Sequence, residues 1–71
     1  MCILTFESVH AVLRAEKLCT EQQLSFEIVP TPREISSDCG TSIRISCDIA
    51  ERTVELIVAE GITVARHNTE G

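Results

Sequence analysis

The chain predicts an α+β fold in which two helices cover one face of a four-stranded antiparallel sheet. Three observations carry this. Short apolar runs with strand character stand at residues 1–6, 24–28, 41–47 and 62–65. Stretches with helical spacing, residues 9–22 and 48–60, separate the first run from the second and the third from the fourth. At 71 residues there is room for one domain spanning 1–71. The order is therefore β-α-β-β-α-β, and right-handed crossovers place both helices on the same face with strand order 4-1-3-2, the ferredoxin-like arrangement.

Residues 1–6 are nearly continuously apolar, as suits a central strand with Cys2, Leu4 and Phe6 on one face. Ser8 offers an N-cap. Beyond it Ala11, Val12, Ala15, Leu18 and Cys19 form one stripe, with His10, Arg14, Lys17 and Glu21 opposite. Leu24, Phe26 and Ile28 alternate with polar residues, as do Ile43 and Ile45, giving two strands covered on one side only. Cys47 shares the inward parity. Asp48 and Glu51 read as a capping box opening the second helix, whose buried stripe is Ile49, Ala50, Thr53, Val54 and Ile57. Gly61 is placed to close that helix in the left-handed conformation, and a last strand follows through Ala65. His67 and residues 68–71 read as a solvent-exposed tail. The sheet face away from the helices should present Ser25, Glu27, Ser42 and Arg44, polar except around Ile3 and Ala65.

Between the second and third strands runs Pro30-Thr31-Pro32-Arg33-Glu34-Ile35-Ser36-Ser37-Asp38-Cys39-Gly40, read here as the functional loop. Pro30 and Pro32 fix φ near −65° and hold Val29 and Thr31 extended, so the loop starts stiffly. At its far end Gly40 permits a turned backbone that aims amide N–H groups at the cysteine before it. Loops of this length in a small domain usually serve a function. Sulfur chemistry is the sharpest reading of Cys39. Arg33 and the amides around Gly40 favour a thiolate, Ser36 and Ser37 can donate hydrogen bonds to a thiolate or persulfide, and Asp38 and Glu34 oppose the charge. An inert Cys39, with Arg33 merely anchoring the loop to Glu34 or Asp38, is the plain alternative.

Composition narrows the partners. Eleven acidic against six basic residues, two Phe and no Tyr or Trp argue against a nucleic-acid or anionic-membrane surface. No apolar run approaches the length of a membrane span, and residues 1–6 lack a signal peptide's basic start, so the expected location is the cytoplasm. Cys2, Cys19, Cys39 and Cys47 are then expected to be reduced, with Cys2, Cys19 and Cys47 packed inward. Cys47, eight residues after Cys39, is also a candidate to resolve an oxidised Cys39 as a disulfide. No Cys-x-x-Cys occurs, His10 and His67 are isolated, and no metal site or cofactor is expected. Pairing of two copies through the uncovered sheet face would add buried area.

Pro30-Thr31-Pro32-Arg33, with Cys39-Gly40 several residues on, and the helix residues Ser8-Val9-His10-Ala11 and Ala15-Glu16-Lys17-Leu18 resemble the small bacterial selenium/sulfur carrier-like proteins, also known as DUF3343. The similarity spans nearly the whole chain. It implies a cytoplasmic bacterial carrier that holds a persulfide or selenopersulfide on Cys39 and passes it from a donor to an acceptor protein. The chain departs from the family pattern at Gln22-Gln23, where relatives tend to have a glycine after the first helix. The competing reading is a non-catalytic ligand- or protein-binding regulatory module in which the loop is a contact surface. A thiol switch between Cys39 and Cys47 is a third.

Overall fold

A computed structural model describes residues 1–35 and 40–68 of the chain. The elements are β1 (Cys2–Phe6), α1 (Val9–Glu21), β2 (Glu27–Pro30), β3 (Thr41–Ile45), α2 (Cys47–Ala59) and β4 (Val64–Asn68). They build one sheet of order β2-β3-β1-β4 with every neighbouring pair antiparallel. Sheet and helices together form a ferredoxin-like α+β fold, as the pattern predicts.

Register fixes the two faces. Leu4 pairs with Ile43 and Cys2 with Ile45, so these four inward side chains meet beneath the helices. Ala15 of α1 and Ala50 and Ile57 of α2 pack onto them, with Ile62 completing the cluster. Leu4, Ile43, Ile45 and Ile57 are fully buried, each contributing roughly 1.5–3 kcal/mol of apolar transfer. Thr53 is buried in the same layer, its hydroxyl donating to the Ile49 carbonyl at 2.7 Å. Among the described residues no buried side-chain nitrogen or oxygen lacks a hydrogen-bond partner.

Both helices begin on a serine. Ser8 is extended and its Oγ accepts from the Ala11 amide at 3.2 Å. The second helix starts earlier than an Asp48–Glu51 capping box would have it: Ser46 is the N-cap, accepting from the Asp48 amide at 3.3 Å. A serine leaving an extended strand reaches the second free amide directly, and Asp48 then lies in the first turn, where the helix dipole favours a carboxylate. Both helices also end alike. In α1 the amides of Gln23 and Leu24 donate to the carbonyls of Thr20 and Cys19; in α2 those of Gly61 and Ile62 donate to Val58 and Ile57. Each is a Schellman closure requiring a left-handed residue, supplied by Gln23 at φ 58° and by Gly61 at φ 80°.

Three further expectations are corrected. The second strand lies later than 24–28. Phe26 packs against the core ahead of it, and Ile28, inward by register but on an edge strand, remains 42% exposed. The last strand also runs later, to Asn68, because five register pairs tie it to β1 from Phe6↔Val64 to Cys2↔Asn68. His67 is thus a strand residue, and Ile62 is a connector whose side chain drops into the core. Finally, Cys2 and Cys47 are joined by a disulfide, with Cα atoms 5.1 Å apart. The β1–β3 register sets Cys2 beside Ile45, and α2 opens two residues later, which brings Cys47 within reach. Cys47 is therefore taken by Cys2 and is not held for Cys39.

Candidate functional site

One end of the sheet gathers the C-terminus of β1, the N-terminus of α1 and the start of β3. The described residues on either side of the β2–β3 connection, 31–35 and Gly40, also lie at this end. Pro30 is the last residue of β2, paired with Thr41, and the Thr31 amide extends the ladder by donating to the Gly40 carbonyl at 2.8 Å. The Thr31 and Ser42 hydroxyls hydrogen-bond diagonally across the two strands, Ser42 being the register partner of Val29 and fully buried. Beyond this clamp Pro32 opens a tight turn closed by the Ile35 amide on its carbonyl at 3.0 Å.

A cleft of about 420 Å³ lies between the clamp and the start of α1. Thr5, Ser8, Thr31, Thr41 and Glu7 supply polar groups, Phe6, Val9, Val12 and Ile35 supply apolar wall, and Gly40 and His67 complete the lining. His67 reaches it from β4, its Nε2 lying 3.1 Å from the Thr5 Oγ1. The first turn of α1 leaves backbone N–H groups without helical partners at this wall, a setting that favours negative charge. The cleft can therefore offer hydroxyls, an imidazole and amide dipoles to a small anionic group.

Of the residues singled out from sequence, Gly40 lines the cleft. Arg33 is exposed on the turn, and Pro30 and Pro32 shape the loop from outside the lining. Ser36, Ser37 and Cys39 lie outside the described residues, as does Asp38. Both described residues that bracket them, Ile35 and Gly40, are cleft residues. Sequence reasoning missed Thr5, Thr41 and His67, and it assigned Ser8 only a capping role. Strand alternation puts Thr5 on the face opposite Cys2, Leu4 and Phe6, but nothing local marks it as a site residue. His67 carried no signal, since its role depends on the length of β4.

The remaining described thiol, Cys19, is fully buried on α1, and burial pushes it above the ordinary value of 9.0. It is an inert packing group, as its stripe position predicts. Among the described residues no helix is long and apolar enough to cross a membrane.

A small α+β domain with a polar cleft beside a cysteine-bearing loop is the class of protein that fold and site define. The chain belongs to the family described as "Putative Se/S carrier protein-like", whose model matches residues 1–67. Searches of curated proteins and of solved structures found no match.

Proposed function

We propose that this protein carries sulfur or selenium on Cys39. The observation that supports it most is the position of the cleft. Cys39 is one peptide bond from Gly40, and with Ile35 that glycine bounds the cleft from the loop side. Family membership points the same way.

The chemistry needs no metal or cofactor. Cys39 thiolate attacks the outer sulfur of a donor persulfide, R–S–SH, forming Cys39–S–SH and expelling R–S⁻. With a selenopersulfide donor the product is Cys39–S–SeH. An acceptor thiolate then attacks the outer chalcogen, takes it, and returns Cys39 as the thiolate. The carried group is anionic when deprotonated, so amides, hydroxyls and Arg33 stabilise it electrostatically. Donor and acceptor proteins in a bacterial cytoplasm are the partners this cycle requires.

The test is intact-protein mass after exposure to a persulfide donor and, separately, a selenium donor, on the parent and on Cys39→Ser. One added, reducible sulfur or selenium that disappears in Cys39→Ser is the expected result. Loading that persists in the variant, or an adduct spread over several cysteines, would sink the carrier reading and favour a binding module.

A further inference from the structure

The Cys2–Cys47 disulfide lies at the sheet end opposite the cleft, and its two sulfurs are not equivalent. Cys2 is fully buried in the core cluster between Ile45 and Asn68, its register partners. Cys47 is only partly buried and is the first residue of α2, directly after the N-cap Ser46. A shallow groove of about 160 Å³ opens at this end, lined by Met1 and Ser46, the immediate chain neighbours of Cys2 and Cys47, and also by Phe26, Ile49 and the charged Glu27 and Arg44. The Asn68 Oδ1 lies 3.1 Å from Cys2 Sγ. A disulfide sulfur has no proton to give that oxygen, whereas a Cys2 thiol would donate to it.

We infer that Cys2–Cys47 is an exchange-active disulfide whose reacting sulfur is Cys47 and whose substrate is an external thiol or dithiol. An incoming thiolate R–S⁻ attacks Cys47 Sγ, forming Cys47–S–S–R and breaking the bond to Cys2. The Cys2 thiolate leaves and takes a proton from water, and the resulting thiol donates a hydrogen bond to Asn68 Oδ1. A second thiolate, R′–S⁻, attacks the R sulfur, giving R–S–S–R′ and releasing Cys47 as a thiolate. Two electrons pass from the external pair to the protein. The released Cys47 thiolate sits in the first turn of α2, where free amides and the helix dipole favour an anion. Attack is directed to Cys47 by access, because Cys2 is sealed beneath the helices.

Oxidised full-length protein treated with reduced glutathione, acid-quenched, alkylated and peptide-mapped without reductant tests this. Glutathione should be found on Cys47 in about tenfold excess over Cys2. Dithiothreitol, able to supply both thiolates, should convert the pair to two alkylatable thiols. Cys2→Ser, whose Cys47 is a free thiol, is treated instead with oxidised glutathione, GSSG. The Cys47 thiolate attacks it, forming Cys47–S–SG and releasing GS⁻, and this adduct should accumulate because no neighbouring thiol remains to expel it. Equal labelling of Cys2 and Cys47, a bond that persists in dithiothreitol while the protein stays folded, or peptide maps with no Cys2–Cys47 link would each overturn the inference. The parent measurement decides the matter by itself if Cys2→Ser does not fold.

Discussion

The two ends of the sheet begin from the same parts and differ in what closes them. Each launches a helix from a serine N-cap, Ser8 at one end and Ser46 at the other, and each receives the Schellman-closed terminus of the other helix. At the cleft end the β2–β3 connection runs from Thr31 to Gly40 and leaves a polar hollow against α1. At the other end Ser46 alone links β3 to α2, so the chain turns sharply and the Cys2–Cys47 bond clamps it. Strand β3 holds these ends roughly 13 Å apart at the usual rise per residue. The difference places the Cys2–Cys47 bond at the end of β3 away from the cleft, so Cys47 is committed to Cys2 there.

The largest effect expected to distinguish the ends is on stability. Opening Cys2–Cys47, which closes a 45-residue separation, should cost about 2–4 kcal/mol. Urea unfolding of the oxidised parent against Cys2→Ala/Cys47→Ala measures it. The double variant should still load Cys39, since its changes lie away from the cleft. Loss of loading in a protein that remains folded would break the independence of the two ends.

A smaller effect concerns Cys19, which belongs to neither end. Burial raises its folded value above 9.0, so the unfolded chain releases this proton first as pH rises. Its contribution to stability is fully present below pH 9.0 and is lost as pH climbs through the folded value, by at most ~1.4 kcal/mol per pH unit. Under non-reducing conditions Cys2 and Cys47 do not titrate, so the difference in slope between the parent and Cys19→Ala isolates this group. Equal slopes would mean that Cys19 is solvated in the folded protein.

Much of this architecture was legible because local and tertiary signals agree. The α1 stripe, the Ala11 and Ala15 spacing, the Ile43–Ile45 alternation and Gly61 each specify what the fold uses, and the right-handed crossover rule then supplied the strand order. What stayed hidden depended on register. Nothing in a local window says that Cys2 falls beside Ile45, so the disulfide was invisible and the expectation of reduced cysteines followed from compartment alone. His67 was lost in the same way, because the β1–β4 pairing extends a strand through Ala65, Arg66, His67 and Asn68 that has little apolar alternation. The capping assignment at Asp48 failed for a narrower reason. Ser46 and Asp48 are both good N-caps, and only the backbone geometry after Ile45 selects the serine.

The smallest expected effect compares the helix closures themselves. Gly61 has nothing within 4 Å of where a Cβ would stand, so Gly61→Ala meets no steric obstacle and its penalty is the left-handed backbone alone, about 1 kcal/mol. Gln23 already bears that strain at φ 58°, and Gln23→Gly should therefore stabilise the protein by roughly 0.5–1 kcal/mol in thermal or urea unfolding. A loss on Gln23→Gly would show that the glutamine side chain contributes more than its backbone costs. The closure bonds join Gln23 and Leu24 to Thr20 and Cys19 and share no residue with Cys2–Cys47. The gain should then be the same within about 0.5 kcal/mol whether the disulfide is closed or reduced. A gain that appears only after reduction would mean that the covalent clamp at this end masks the strained closure.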